Sequence, residues 1–123
     1  MDSKEKALLC AGIAGAQKAQ DMVIIKVQEV SSLADYFIIC SGTSSRQVQA
    51  IAEHVEAGMK EKGFRPLGVE GARTGRWVLL DYADVIMHVF HQTEREFYDL
   101  ERLWSECPRI DVDDIPEGTK EKK

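Results

Sequence analysis

Residues 41–47, SGTSSRQ, follow the apolar run YFIIC and precede a stretch with helical periodicity. A strand, a glycine among small residues and the start of a helix form the arrangement in which backbone N–H groups hold phosphate. A phosphate loop also needs a second glycine followed by a lysine, as in G-x-x-x-x-G-K-[ST], and neither follows Gly42 before the helix is under way. Ser44-Ser45-Arg46-Gln47 fits a capping box better. In that arrangement the Ser44 hydroxyl accepts from the Gln47 N–H, and the Gln47 side chain accepts from the Ser44 N–H. Gly42 is expected to let the backbone turn sharply, and Arg46 leaves a cation at the helix start that an anion would meet.

Other residues able to do chemistry are sparse. Asp81 and Asp84 flank a short turn and are two acids that a Mg²⁺ ion would accept, but a two-metal site wants acids at i and i+2 on one strand face beside a phosphate loop. The spacing here is i, i+3, which speaks against nucleotidyl transfer. His88 and His91 stand three apart and so point to opposite faces of a strand, a poor metal pair. His54 lies beside an apolar helical stripe. The three cysteines, Cys10, Cys40 and Cys107, form no C-x-x-C pair, and Cys10 and Cys40 read as small buried hydrophobes. No Ser-His-Asp or Cys-His arrangement of known form is present. No metal, no cofactor and no catalytic residue is expected, and a nucleotide-binding or nucleotidyltransferase-like enzyme is the alternative reading.

The segment Trp77-Val78-Leu79-Leu80-Asp81 carries the other candidate. Alternation puts Trp77, Leu79 and Asp81 on one strand face and Val78, Leu80 and Tyr82 on the other. One face must pack on helices. If the other is not fully covered, it offers an indole, a leucine and a carboxylate together, the mixture found at protein-binding hot spots.

The elements that must position these residues follow from periodicity. Residues 4–19 read as a helix rich in Ala, Leu, Lys and Gln, with Leu9, Ile13 and Ala16 at helical spacing. MVIIKV (22–27) and YFIICS (36–41) read as strands, the second apolar on both faces and hence central. A helix over 45–62 has the stripe Val48, Ile51, Ala52, Val55 and Met59, and Gly63 ends it. RPLGVE (65–70) is a short strand with Pro66 at its start or edge. GARTG (71–75) is a turn. WVLLD (77–81) and VIMHVF (85–90) form a hairpin through Tyr82-Ala83-Asp84. Thr93 opens a third helix as a capping box and runs to about Trp104, with Phe97, Leu100, Leu103 and Trp104 facing the core. The order α-β-β-α-β-β-β-α, with close links within the first and last strand pairs, gives an α/β (α+β) fold: a mixed five-stranded sheet packed by three helices.

The 123 residues make one domain able to build a core without staples, assigned to residues 1–108. Residues 109–123 read as a charged, frayed tail. No run approaches the ~20 apolar residues of a membrane span. The N-terminus lacks an apolar signal region, so a cytoplasmic protein without a membrane partner is expected. The net charge of −5 disfavours direct nucleic-acid binding, which would fall to Arg46, Arg73 and Arg76. Between Glu70 and Glu106, eight carboxylates stand against four arginines, a surface suited to a basic protein.

Four segments together carry a family resemblance: SSLADYFIICSGTSSRQVQAIA (31–52), VEG (69–71), GRWVLLDYADVIMHVF (75–90) and REFYDLERLW (95–104). Their order and sequence resemble the ribosomal silencing factor family (RsfS, Iojap-like) over about residues 4 to 106. The resemblance implies a nucleotidyltransferase-like topology without the catalytic site. It also implies binding to the large ribosomal subunit through the ribosomal protein of the L-fourteen family, repression of translation by blocking subunit joining, and homodimers. Carried over residue by residue, the interface would comprise Trp77 as apolar anchor with Leu79 beside it and Asp81 and Asp84 facing Arg or Lys. Tyr82 and His88 would complete the patch, and Glu70 and Gly71 would border it. The family often has Gly at Ala83 and Asn at Thr43.

Overall fold

The computed structural model describes residues 1–111. The elements are α1 (Ser3–Ala16), β1 (Gln20–Lys26), β2 (Tyr36–Gly42), α2 (Ser45–Glu61), β3 (Gly68–Glu70), β4 (Trp77–Asp81), β5 (Val85–His91), α3 (Gln92–Tyr98), a 3-10 helix (Leu100–Trp104) and β6 (Arg109–Ile110). The strands form one sheet in the order β3-β4-β5-β2-β1-β6. Only β2 and β5 run parallel among adjacent pairs; β1–β2, β1–β6, β3–β4 and β4–β5 are antiparallel. The sheet is mixed and three α-helices pack on it, as expected, but it has six strands among the described residues rather than five. The sixth, Arg109–Ile110, pairs with Ile24 and Ile25. Two residues carry no periodic signal, so the sequence alone leaves this strand within the tail. The remainder of that tail, from residue 112 onward, lies outside the described residues.

Strand β2 is buried along its whole length, as a run apolar on both faces requires. One face of the sheet packs on α1 and α2. There Ile38, Cys40, Val78, Leu80, Met87 and Val89 meet Val48, Ile51, Ala52, Val55 and Met59, the five residues of the expected stripe on α2. Helix α1 buries Ala7, Cys10, Ala11 and Ala14, while Leu9 and Ile13 are only partly buried. The buried stripe is therefore offset from the expected Leu9–Ile13–Ala16 set, and its small residues bring the helix close to the sheet. A capping box, Asp2 with Glu5, opens α1. Burial pushes the Cys10 and Cys40 thiols up to about 12, so both are inert apolar groups at neutral pH.

The loop after β2 starts a helix. Ser44 Oγ accepts from the Gln47 N–H at 3.1 Å. The Gln47 side chain returns one residue earlier than expected, its Oε1 accepting from the Thr43 N–H at 2.7 Å and from the Thr43 hydroxyl at 3.0 Å. Gly42 continues the strand rather than turning sharply. A Cβ there would meet Val48 Cγ2 at 3.1 Å, so glycine allows α2 to lie tight against the strand end.

The third helix departs most from expectation. It begins at Gln92 with His91 as N-cap, the imidazole Nδ1 accepting from the Thr93 N–H at 3.2 Å. It stops at Asp99, whose φ of 47° ends the α-helix and turns the chain into the 3-10 segment. Because of that break Leu100 and Trp104 pack on the second sheet face, while Phe97 and Leu103 are 79% and 74% exposed rather than in the core.

The hairpin turn holds Ala83 at φ 74°, a left-handed conformation that costs an L-residue with a Cβ about 1 kcal/mol or more. Ala83→Gly is expected to raise stability by roughly 0.5–1 kcal/mol. The measurement is the urea midpoint, which should rise without a change in slope.

Candidate docking face

The second sheet face is half covered. Phe37, Ile39 and Phe90 are buried on it, with Leu100 and Trp104 packed against them. Toward the β3 edge the cover ends. Strand β4 alternates between half-buried Trp77, Leu79 and Asp81 on this face and fully buried Val78 and Leu80 on the helical one. The strand register builds the open area in rows. Glu70 lies opposite Leu79 and Leu79 opposite His88; Gly68 lies opposite Asp81 and Asp81 opposite Ile86; Trp77 lies opposite Phe90. Leu79 thus stands beside Glu70, with Trp77 at one end of the β4 row and Asp81 at the other, and partly buried Ile86 shares the face.

Trp77 is fixed from three sides. Its ring sits 4.7 Å from Phe90 and 4.8 Å from Tyr98 between centroids, and its indole N–H donates to His88 Nδ1 at 3.1 Å. Accepting at Nδ1 places the imidazole proton on Nε2, the neutral tautomer. His88 is 5% exposed and its Nε2 has no protein partner among the described residues. Burial alone lowers its pKa to about 4.

Gly71 shapes the approach to the strand. Its φ is +82°, and a Cβ there would lie 2.0 Å from the Trp77 carbonyl oxygen. The turn it opens closes with the Gly75 N–H donating to the Gly71 carbonyl at 3.1 Å. Gln49 Nε2 donates to the carbonyls of Ala72 and Arg73, both at 3.0 Å, tying the turn to α2.

Five of the eight expected interface residues therefore lie together here: Glu70, Gly71, Trp77, Leu79 and Asp81. Three do not. Tyr82 is a core residue, 3% exposed and packed on the helical face; burial pushes its phenol well above the usual range. As the next residue after Asp81, it points the other way, which corrects its place in the patch. Asp84 Oδ1 is ion-paired with Lys6 Nζ of α1 at 2.6 Å, and so turns toward the helical side. His88 shares the face but is sealed beneath Trp77. It acts on the surface only through the indole it holds.

Asp81 Oδ1 accepts from the Ala83 N–H at 2.8 Å and stabilises the turn, while Asp84 is held by Lys6, so the two acids do not converge. Among the described residues no group of three or more His, Cys, Asp or Glu side chains is placed to hold a metal ion. No helix there is long and apolar enough to cross a membrane.

Two outcomes follow from the Trp77–His88 bond. His88→Phe keeps an aromatic ring in the space but removes the acceptor, so exchange of the Trp77 indole proton, read by NMR, should accelerate. The second concerns pH. In the unfolded chain His88 titrates near its ordinary 6.5, and in the folded chain near 4, so between these values the unfolded state binds the extra proton. Stability should fall as pH drops from about 6.5 toward 4, by a total on the order of 3 kcal/mol. Urea unfolding at pH 7 and pH 5 tests this: the His88→Phe variant should lose clearly less than the native chain.

Comparison with known proteins places this geometry in a family. A family model described as ribosomal silencing factor during starvation matches residues 1–123. The ribosomal silencing factor RsfS of Bacillus subtilis is 40% identical over 113 residues, covering 92% of this chain and 96% of that protein. The crystal structure of a Chromobacterium violaceum protein superimposes with a TM-score of 0.84 at 35% identity, covering 85% of this chain and 88% of that one. A mouse protein named mitochondrial assembly of ribosomal large subunit protein 1 is 30% identical over 92 residues, covering 72% of this chain and 40% of that protein.

Proposed function

Since the chain belongs to the ribosomal silencing factor family, we propose that it binds the large ribosomal subunit and represses translation without catalysing a reaction. The contact would be the L-fourteen-family ribosomal protein, and the mechanism occupation: while the face is docked, the small subunit is sterically kept from joining. The protein would act in the cytoplasm. The observation that carries this reading is the open part of the second sheet face, where half-buried Trp77 and Leu79 share a surface with the carboxylates of Glu70 and Asp81.

The chemistry of that face suits a basic protein. A rigid indole presents a large apolar surface whose N–H is already satisfied by His88, so its burial in a partner leaves no orphaned donor. The two carboxylates on the same face would pair with lysine or arginine and speed encounter with a cationic surface. The overall charge of −5 opposes direct attachment to RNA, so a protein on the subunit, rather than ribosomal RNA, is the contact that the electrostatics favour.

The test is sedimentation with purified ribosomal subunits. Native protein should travel with the large subunit and not with the small one. Co-sedimentation that collapses when the RNA alone is supplied would agree. Binding to naked RNA that falls steeply with salt and depends on Arg46, Arg73 and Arg76 would contradict the reading.

A further inference from the structure

Helix α3 and the 3-10 segment bury none of their residues completely. Leu100 and Trp104 hold the 3-10 segment on the sheet, and polar groups anchor the rest. Arg95, whose side chain is 11% exposed, donates to Ser41 Oγ at 2.7 Å and pairs with Glu101 at 2.8 Å. Arg76 of the turn before β4 pairs with Glu94 at 2.9 Å. The aromatic residues of the same helix point outward instead: Phe97 is 79% exposed and Tyr98 52%. Leaving a phenylalanine ring in water forfeits roughly 1.5–3 kcal/mol of burial, as Phe97 does here, while Tyr98 is half exposed beside Trp77.

These rings are continuous with the docking face. Phe97 meets Tyr98 edge-on at 5.0 Å, and Tyr98 lies 4.8 Å from Trp77. An aromatic ledge therefore runs from the open sheet face out along α3. Its neighbours in the chain, Glu96 and Asp99, are exposed carboxylates. Exposed rings and exposed carboxylates on one short segment, continuous with a face that carries Trp77, Leu79 and Glu70, suit the same kind of neighbour: cationic side chains whose apolar stems lie on rings and whose charged heads meet carboxylates.

We propose that Phe97 and Tyr98 form a second contact for the same basic protein surface of the large subunit, with a lysine or arginine of that surface lying across the rings and its charge meeting Glu96 or Asp99. The inference rests on the docking-face reading above and extends it from the sheet onto α3. The occupant is that partner rather than a second copy of this chain, because a net-acidic chain offers poor charge complementarity to an acidic ledge.

The test compares Phe97→Ala, Phe97→Lys and Trp77→Ala with the native chain. Affinity for purified large subunits is measured by sedimentation, and the mass of each free protein by light scattering. Phe97 is exposed, so its variants should melt with the native protein. Phe97→Ala should weaken subunit binding about tenfold and Phe97→Lys further, by setting a cation against a cation, with no change in free mass. If Trp77→Ala weakens binding and both Phe97 variants bind within twofold of native, the ledge is overturned and the docking face stands. If the Phe97 variants lose self-association but keep subunit affinity, the ledge belongs to a second copy and the proposal is likewise overturned. If Trp77→Ala binds as tightly as native, the docking-face reading itself fails.

Discussion

Trp77→Ala is expected to weaken binding to the large ribosomal subunit by more than about 2 kcal/mol, close to thirtyfold. The indole is the largest side chain on the uncovered part of the sheet, half buried in the monomer and on the same face as Leu79, Glu70 and Asp81. Its packing on Phe90 and Tyr98 and its bond to His88 fix its orientation before docking, so little entropy is lost when a partner closes over it. The same contacts mean that truncation also loosens the monomer. Trp77→Phe separates the two effects: it keeps much of the ring stacking, loses the N–H donor, and should retain most of the stability while recovering part of the affinity. Melting curves beside sedimentation affinities check both. Equal affinity for native protein and Trp77→Ala, with both fully folded, would remove Trp77 from the interface.

Gly71→Ala is expected to cost the fold about 2–4 kcal/mol. Two causes add. The residue sits at φ +82°, where a Cβ is disfavoured by roughly 1–2 kcal/mol, and the new methyl would lie 2.0 Å from the Trp77 carbonyl oxygen. That neighbour is backbone of β4 and has no rotamer to change, so the turn or the strand must shift. Either movement displaces Trp77, and the variant should lose subunit affinity even at temperatures where it remains folded. Chemical denaturation gives the stability. A variant as stable as the native chain would show that the turn deforms freely and that Gly71 does not set the position of Trp77.

How far these features were legible beforehand depended on whether each had a local signal. The β2–α2 unit did. An apolar run on both faces marks a central strand, and the stripe from Val48 to Met59 marks the buried side of α2. The period-two alternation of 77–81 also separated the surface triad Trp77, Leu79 and Asp81 from the core pair Val78 and Leu80. It already placed Tyr82 with the core pair, and family resemblance drew that residue into the patch against the alternation.

What was hidden depended on tertiary geometry. Phe97, Leu100, Leu103 and Trp104 have the spacing of one buried helical face, but the left-handed turn at Asp99 divides them, two inward and two outward. Periodicity cannot register one residue with positive φ. The burial of His88 follows from the register that sets it between Ile39 and Leu79 and from the indole above it, neither of which is local. Asp84 is turned away by Lys6, seventy-eight residues distant in sequence. The capping box of α1, by contrast, is a local signal: Asp2 and Glu5 have the three-residue spacing that marks a helix start.

The most direct test of the central claim is a subunit-joining titration, with purified large and small subunits mixed under associating conditions and rising amounts of the protein, resolved by density-gradient centrifugation. With native protein, the paired ribosome should give way to separate subunits as the large subunit is filled one to one, while Trp77→Ala at the same concentrations leaves pairing intact. Paired ribosomes that form normally while the native protein remains bound to their large subunit would contradict the account.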